Sequence, residues 1–280
     1  MNKKISIIGA GQMGSGISQV FATSGYSVKV FDVSAEILKK AQHNILYSLQ
    51  KLFSKNLIKE EPLSITERIT FCNDFADLKG SAVFIESAFE NFSVKTEIFA
   101  NISKILTPSS FVASNTSSYS ITALSKMTPY PDRFIGFHFM NPPPLMELIE
   151  IIRGLYTSDE TFSFFKELAE KLHKTAVFSR NSPGFVLNRI LIPMINEAIY
   201  ALYEGVSTAE QIDTALKLGA NHPIGPLALA DLIGLDTVLA IMRTLHKEMG
   251  EDKYKPCPML ENYVVHGLLG KKTRKGFYEY

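Results

Sequence analysis

The segment ISIIGAGQMGSGISQVFATSGYSVKVFD, from Ile5 to Asp32, decides the fold of this chain. It opens with four residues typical of a short buried strand, and glycines follow at once at positions 9, 11 and 14. Apolar residues then recur at helical spacing, at Ile17, Val20 and Phe21. A second strand ends in Asp32, eighteen positions after the last of those glycines. Strand, G-x-G-x-x-G turn, helix, strand and acid in this order predict a unit that binds a dinucleotide.

Each glycine of this fingerprint has a physical reason. Gly9 allows a tight turn, Gly11 lets the backbone approach a pyrophosphate, and Gly14 brings helix and strand close together. The helix that starts here directs unpaired N–H groups and a partial positive charge at the pyrophosphate. We therefore predict that the turn contacts the cofactor, including the residues between its glycines, Gln12 and Met13.

Asp32 indicates which dinucleotide is bound. Its carboxylate can accept hydrogen bonds from a ribose 2′-hydroxyl, whereas it would repel a 2′-phosphate. The pattern therefore predicts NAD as the cofactor and disfavours NADP. The alternative for the whole segment is a glycine-rich turn in an α/β protein that binds no nucleotide.

Length and composition limit the remaining possibilities. The chain has 280 residues, enough for two domains, and 46% of them are hydrophobic. Its net charge of +1, from 29 basic and 28 acidic residues, argues against a nucleic-acid or membrane surface as partner. The two cysteines, Cys72 and Cys257, lack metal-ligand spacing and favour a reducing compartment. No apolar run reaches membrane-spanning length, and no signal peptide is expected, so we predict a cytoplasmic protein without a bound metal.

Residues 1–180 are predicted to form a Rossmann-type α/β domain. Strands alternate with helices, which indicates a parallel, doubly wound sheet. The strands are predicted at Ile5–Ile8, Ser27–Phe31, Arg68–Phe71, Ala82–Ile85, Phe111–Ala113, Phe134–Phe139, Leu145–Ile152 and Thr175–Phe178. Between them, helices are predicted to bury Leu38, Ala41, Ile45, Leu49 and Leu52, then Val94, Ile98, Ile102 and Ile105, then part of Asp159–Leu172. Ligands of such sheets bind beyond the carboxyl ends of the strands, near Glu90, Lys95, Asn115 and Ser117.

Residues 181–280 are predicted to form a second, all-helical domain. Pro183 suits a helix start, and a long apolar segment follows from Phe185 to Tyr203. A capping box at Ser207–Glu210 predicts a further helix to Leu218, and Leu227–Met249 is again helical in pattern.

His138 and Glu150 are the candidate acid–base residues. A carboxylate within the apolar run Leu148–Ile152 is costly unless it is paired. Three prolines at 142–144 reverse the chain between the two residues, so their strands could lie side by side. The carboxylate would then orient the imidazole and leave its other nitrogen as a base. The alternatives are a structural histidine, and a Glu150 that pairs with Arg153.

Other polar residues have two interpretations each. Asn188 lies on an apolar helix face, where its amide must find partners either in the core or on a substrate. Ser117 could be a site residue or the cap of the next helix. Ser48, Lys51 and Lys55 form one stripe of a helix, which is either a solvated surface or a cationic edge for an anionic substrate.

The ordered motifs of the chain resemble those of the 3-hydroxyacyl-CoA dehydrogenase family, in particular its short bacterial members. The resemblance covers essentially the whole chain. It is carried by Ile8–Ile17, Ser114–Ser118, Gly136–Pro142, Leu148–Ile151, Ser182–Arg189 and His222–Pro226. Met140 departs mildly from the family pattern, and Arg274 stands where the family commonly has glycine.

This resemblance implies an NAD-dependent oxidoreductase that acts on a coenzyme A thioester, with 3-hydroxybutyryl-CoA and acetoacetyl-CoA as the expected pair. It implies that His138 is the catalytic base, that Glu150 is its partner, and that Ser117 and Asn188 bind the reacting oxygen. Positions that the family uses around NAD are matched by Asp32, Glu90, Lys95, Ser117, Asn141 and Lys272. Residues that touch coenzyme A are matched by Ser48 and Lys55, with Lys51 on the same stripe. It also implies a homodimer formed through the C-terminal domain.

Two rival functions remain at this level. One is a structural NAD-binding protein without activity, as in the related lens crystallins, although His138, Glu150, Ser117 and Asn188 are all intact. The other is a dehydrogenase of a free hydroxy acid or sugar acid. Turnover of acetoacetyl-CoA against acetoacetate separates these possibilities.

Overall fold

The computed structural model describes residues 4–280, which fold into two compact units that meet in sequence at Ser182 and Pro183. The first unit is built on one eight-stranded sheet. Its strands are β1 (Ile5–Ile8), β2 (Val28–Phe31), β3 (Ile69–Cys72), β4 (Val83–Glu86), β5 (Phe111–Ser114), β6 (Phe134–Phe139), β7 (Leu148–Arg153) and β8 (Thr175–Arg180). Most of the predicted strand limits agree with these to within two residues.

The order of the strands explains where a ligand can bind. The sheet runs β3-β2-β1-β4-β5-β6-β7-β8, and all its neighbouring strands are parallel except β6 and β7. The chain builds outward from β1 in one direction, then returns to the other side of β1 to form β4. Ligands of open α/β sheets bind at such a switch point, outside the carboxyl ends of the strands. The predicted Rossmann-type sheet is confirmed.

Helices connect the strands of this unit and cover the sheet. They are α1 (Gln12–Thr23), α2 (Ala35–Ser54), α3 (Pro62–Thr66), α4 (Phe92–Ser103), α5 (Ile121–Ser125) and α6 (Asp159–Lys171), with short 3₁₀ turns at Phe75–Leu78 and Pro131–Arg133. Side chains cap α2, α4 and α6; at the start of α2, for example, the Ser34 side chain accepts a hydrogen bond from Ile37 N. The core between helices and sheet contains β-branched and aromatic residues of the strands.

Two predictions about this unit are wrong in detail. Leu145 and Met146 were expected in a strand, but they lie in a turn whose amides bond to the Pro142 carbonyl, and they are 58% and 42% exposed. Val94 was expected to face inward on α4 but is 37% exposed, and Ile105 lies beyond the helix end. The buried face of α4 is Lys95, Ile98, Phe99 and Ile102. A charged residue occupies an inward position, which apolar periodicity cannot predict.

The second unit is a bundle of helices around its own core. Its helices are α7 (Leu187–Tyr203), α8 (Ala209–Gly219), α9 (Pro226–Ile233), α10 (Leu235–Met249) and α11 (Pro258–Val265), with 3₁₀ turns at Asp252–Tyr254 and Lys271–Thr273. The predicted helix over Leu227–Met249 is wrong as one element, because Gly234 breaks it with a φ of 100°. The predicted capping box lies one residue early, since Thr208, and not Ser207, caps α8 by accepting a hydrogen bond from Gln211 N.

Arg274 adopts the left-handed conformation, with φ 61° and ψ 9°. This region costs a non-glycine residue steric strain of about 1 kcal/mol, partly offset when glycine raises the entropy of the unfolded chain. We expect Arg274→Gly to leave the melting temperature unchanged or slightly higher. Arg274→Ala is the matched control, because it also removes the guanidinium but keeps the Cβ that is strained. A tenfold rise in a substrate or cofactor KM for the glycine variant would instead indicate a contact made by the guanidinium.

Within residues 4–280, no helix is both long enough and apolar enough to cross a lipid bilayer.

Candidate active site

The glycine turn between β1 and α1 is built for close packing on one side and open space on the other. Gly9 has a φ of 103°, and a Cβ added there would lie 2.5 Å from the Ser87 carbonyl oxygen. A Cβ at Gly14 would lie 1.8 Å from the Gly9 carbonyl oxygen. At Gly11, in contrast, no atom lies within 4 Å of such a Cβ. No side chain caps the start of α1, so the site fits a pyrophosphate bound by helix N–H groups.

Asp32 is held at the end of β2 in contact with this turn. Its Oδ2 accepts a hydrogen bond from Ala10 N at 2.9 Å, and its Oδ1 accepts one from Ser34 N at 3.0 Å. Each carboxylate oxygen can accept a second hydrogen bond. The geometry therefore allows Asp32 to orient the turn and to receive ribose hydroxyls at the same time.

The proline loop that follows β6 lies against the same turn. Gln12 Nε2 donates to Asn141 Oδ1 at 3.1 Å, which brings together two residues predicted to contact the cofactor. A Cβ at Gly16 would lie 2.8 Å from Pro143 Cδ, so the loop packs directly on α1. Lys174 fixes the loop by donating to the carbonyl oxygens of Pro143 and Met146 at 2.9 and 2.8 Å. Met13 is partly buried against the core of the sheet.

His138 and Glu150 face each other across β6 and β7, as directly opposed residues of the antiparallel pair. His138 Nδ1 and Glu150 Oε2 lie 2.9 Å apart, and the two side chains are 9% and 0% exposed. The predicted contact between them is confirmed. A buried carboxylate beside Nδ1 holds the proton there and favours the tautomer whose lone pair is on Nε2. It also stabilises the imidazolium that forms when the ring accepts a proton.

Glu90 and the loop that carries Ser117 form a second polar group at the ends of β4 and β5. Glu90 Oε1 accepts hydrogen bonds from the amides of Ser117 and Ser118, both at 3.2 Å, and from the side chains of Ser118 and Thr116. Burial opposes the ionisation of Glu90, but Lys95 and these hydrogen bonds outweigh it and lower its pKa. Ser120, and not Ser117, caps the following helix α5, because its side chain accepts a hydrogen bond from Ala123 N at 3.2 Å.

Lys95 lies in the interior, which its sequence position did not reveal. Its side chain is 1% exposed, and Nζ contacts Glu86 Oε1 at 2.7 Å and Glu90 Oε2 at 3.0 Å. Burial alone would lower the pKa of this ammonium, but the two carboxylates raise it instead. Lys95 is therefore a buried cation next to the predicted cofactor site. Sequence reasoning missed Glu86, although a carboxylate that ends an apolar strand gives the same signal as Glu150.

A cavity of about 560 Å³ adjoins the glycine turn. It is lined by the start of α1, one face of α2 and the proline loop, including Gln12, Gln19, Asn44, Ser48 and Pro143. Of the predicted substrate stripe, Ser48 lines this cavity. Lys51 and Lys55 are exposed beyond it, and Lys51 Nζ lies 4.3 Å from the centre of the Tyr47 ring.

Two predicted site residues belong to the helical unit. Asn188 lies in the first turn of α7 and is 9% exposed. Lys272 Nζ donates to both carboxylate oxygens of Asp236, at 2.8 and 3.0 Å, and to Thr237 Oγ1 at 3.2 Å.

The chain matches two family models that together cover almost all of it. Residues 4–182 match the NAD binding domain of 3-hydroxyacyl-CoA dehydrogenase, and residues 184–280 match its C-terminal domain. Among solved structures, (S)-3-hydroxybutyryl-CoA dehydrogenase from Ralstonia eutropha is similar with a TM-score of 0.96 at 46% identity, over 100% of this chain and 99% of that one.

Curated relatives give the same result. A 3-hydroxybutyryl-CoA dehydrogenase of Bradyrhizobium diazoefficiens is 51% identical over 279 residues, 99% of this chain and 95% of the relative. The human mitochondrial hydroxyacyl-coenzyme A dehydrogenase is 39% identical over 289 residues, 99% of this chain and 91% of the relative. The chain belongs to the 3-hydroxyacyl-CoA dehydrogenase family and is an oxidoreductase that uses NAD.

Proposed function

We propose that this enzyme interconverts L-3-hydroxyacyl-CoA and 3-ketoacyl-CoA, with 3-hydroxybutyryl-CoA and acetoacetyl-CoA as its substrate pair. The observation that carries the proposal is the buried contact between His138 and Glu150, at 2.9 Å. The Ralstonia eutropha and Bradyrhizobium diazoefficiens relatives are both named as 3-hydroxybutyryl-CoA dehydrogenases, which supports this substrate pair.

In the proposed mechanism, His138 moves the proton of the 3-hydroxyl group. Glu150 keeps the Nδ1 proton in place, so Nε2 accepts the hydroxyl proton in the oxidising direction. NAD, when bound, supplies the acceptor for the hydride that leaves C3. In the reducing direction, the imidazolium of His138 returns the proton to the oxygen at C3. Glu150 stabilises that imidazolium, whose charge would otherwise be costly in a buried site.

Ser117 and Asn188 are proposed to hold the reacting oxygen by hydrogen bonds. Donors fixed before the reaction stabilise the charge that develops on this oxygen without having to reorganise. The proposed cofactor contacts are the turn from Gly9 to Gly14, Asp32, Glu90, Lys95, Ser117, Asn141 and Lys272.

The experiment that tests the function is NADH oxidation followed by absorbance, with acetoacetyl-CoA against acetoacetate. We expect turnover of the thioester and none of the free acid at equal concentration. Turnover of acetoacetate alone would assign the enzyme to free hydroxy acids. NADH binding without turnover of either compound would favour a structural NAD-binding protein.

The specificity for NAD gives a prediction at Asp32. Asp32→Ser should weaken NADH binding by about tenfold, because a charged hydrogen-bond acceptor is lost. It should also narrow the advantage of NADH over NADPH, since repulsion of a 2′-phosphate is lost. Asp32→Asn is the matched variant, because it keeps an acceptor for Ala10 N while it removes the charge. An unchanged NADH/NADPH ratio of kcat/KM in both variants would contradict the assignment.

Coenzyme A is proposed to lie along α2, with Ser48 at the cavity and Lys51 and Lys55 beyond it. Lys55→Ala should raise KM for acetoacetyl-CoA by about two- to fivefold, as expected for an exposed charge contact. KM for a pantetheine-length analogue without the nucleotide phosphates should not change. Lys104→Ala, at an exposed lysine after α4, is the control. Equal effects of Lys55→Ala on both substrates would exclude a phosphate contact.

A homodimer formed through the helical unit and a cytoplasmic location complete the proposal. Large apolar side chains of this unit are exposed, with Ile190 at 66%, Val206 at 72%, Leu218 at 81% and Val265 at 79%. Both cysteines are free thiols and buried, which supports the proposed location in the reducing cytoplasm. Sedimentation of the purified chain tests the dimer.

A further inference from the structure

Glu86 is a buried carboxylate for which the mechanism has no use. It ends β4 and is 0% exposed. Its Oε1 accepts hydrogen bonds from Lys95 Nζ at 2.7 Å and from Ala88 N at 2.8 Å. Its Oε2 accepts from Lys95 Nζ at 2.9 Å and from the Ser114 hydroxyl. Four hydrogen bonds therefore satisfy both oxygens of this buried carboxylate.

Lys95 joins Glu86 to Glu90. The ammonium group has three donors, and three carboxylate oxygens lie within 3.0 Å of Nζ: both oxygens of Glu86 and Oε2 of Glu90. The ammonium group of Lys95 therefore forms ion pairs with two carboxylates at once. The Glu86 side chain is fully buried, and the Glu90 side chain, in the loop after β4, is 35% exposed.

Glu90 connects Lys95 to the loop that follows β5. Its Oε2 is held by Lys95, so its Oε1 is directed at the amides of Ser117 and Ser118. A continuous series of contacts thus runs from Glu86 through Lys95 and Glu90 to the loop that carries Ser117. Glu86 ends β4, which lies next to β1 in the sheet, and the loop that carries Ser117 follows the neighbouring strand β5.

We propose that Glu86 is a positioning residue of the NAD site, which fixes Glu90 and the Ser117 loop through Lys95. The expected effect of Glu86 on turnover rests on the proposed function, in which Ser117 holds the reacting oxygen. Its expected effect on NADH binding does not rest on that function. The competing explanation is that Glu86 only neutralises a lysine that folding has buried.

The decisive variant is Glu86→Gln. The side chain keeps its shape, but its charge is lost and an NH₂ group replaces one acceptor of the Lys95 ammonium. Lys95 then has one carboxylate partner, Glu90, and is drawn towards it. We expect the Kd for NADH, measured by fluorescence titration without acyl substrate, to rise about tenfold, which corresponds to about 1.4 kcal/mol. In turnover, KM for NADH should rise and kcat should fall, while KM for acetoacetyl-CoA stays within twofold.

A double-mutant cycle tests whether Glu86 acts through Lys95. Glu86→Gln combined with Lys95→Met should weaken NADH binding no more than Lys95→Met alone, because the coupling partner is already absent. Glu97→Gln, which removes an exposed carboxylate from the same helix, is the control and should leave Kd and kcat unchanged. Additive losses in the cycle would contradict the proposal.

Thermal unfolding without cofactor distinguishes a positioning role of Glu86 from a contribution to stability alone. A Glu86→Gln variant that melts earlier but binds NADH within twofold of the wild type would overturn the proposal in favour of charge neutralisation. If that variant does not fold, Ser114→Ala replaces it, because it removes one donor to Glu86 and no charge; it also removes the oxygen that accepts from Thr116 N at 3.2 Å. We then expect a two- to threefold rise in the Kd for NADH, and an unchanged Kd would overturn the proposal. A wild type that binds NADH but does not reduce acetoacetyl-CoA would refute the proposed function alone.

Discussion

Replacement of His138 by glutamine is expected to lower kcat by about two to four orders of magnitude, the usual contribution of a positioned acid–base group. Glutamine can still donate to Glu150 Oε2, so the buried carboxylate stays paired and the strands keep their register. It cannot accept and return a proton at neutral pH. NADH affinity should stay near that of the wild type, because the glycine turn and Asp32 are untouched.

The controls for this prediction come from Glu150, the partner residue, and from a histidine of the helical unit. Glu150→Gln should also lower kcat, but less, because the imidazole remains and only its orientation and charge stabilisation are lost. The double variant should be no worse than His138→Gln, since Glu150 acts through the ring. His266→Gln, at an exposed histidine of the helical unit, should change nothing. Near-normal turnover of His138→Gln would remove this residue from the mechanism.

This pair also shows what the sequence can predict. The two residues are twelve positions apart with three prolines between them, so an antiparallel pair was the simplest arrangement of two apolar strands. The cost of an unpaired carboxylate required a partner for Glu150, and the sequence offered both His138 and Arg153. The structure shows the contact with His138. Local patterns could propose this contact because both the reversal and the contact lie within one hairpin-like segment.

The contacts of Lys95 could not be predicted in the same way. Apolar periodicity assigns a lysine to the surface, and it therefore placed Val94 inside. The lysine is buried because two carboxylates from outside its helix, Glu86 and Glu90, converge on it. Such a pairing depends on the crossover from β4 to α4, which single-residue patterns do not encode. The break at Gly234 was missed for a related reason, since the apolar spacing continues across it.

The open side of the glycine turn leads to the second large prediction, in which two similar substitutions give different defects. Gly14→Ala should destabilise the first unit, because the new Cβ would lie 1.8 Å from the Gly9 carbonyl oxygen. Helix α1 would have to move away from β1 to relieve this overlap. Overpacked interior sites typically cost about 1–3 kcal/mol and occasionally more. We expect the upper end, with an earlier thermal unfolding transition and no measurable NADH binding.

Gly11→Ala should give the opposite pattern of stability and binding. Gly11 has a φ of −64°, which alanine adopts without strain, and no atom lies within 4 Å of the added Cβ. The melting temperature of the free protein should therefore stay within about 2 °C of the wild type, a shift that corresponds to about 1 kcal/mol at most. The methyl group nevertheless occupies the space through which a pyrophosphate approaches the backbone. NADH affinity should fall at least tenfold, and the stabilisation of the protein by NADH in thermal unfolding should shrink with it.

The two variants therefore distinguish the packing role of Gly14 from the expected cofactor contact at Gly11 within one turn. Thermal unfolding with and without NADH measures both quantities in the same experiment. If Gly11→Ala binds NADH like the wild type, the open space above Gly11 is not where the pyrophosphate lies, although the turn could still be needed for packing. If Gly14→Ala is as stable as the wild type, α1 can shift away from Gly9 at little cost, and the requirement for glycine at this position is not steric. The expected pattern, one variant unstable and the other stable but defective in binding, is the result that close packing beneath the turn and open space above it together require.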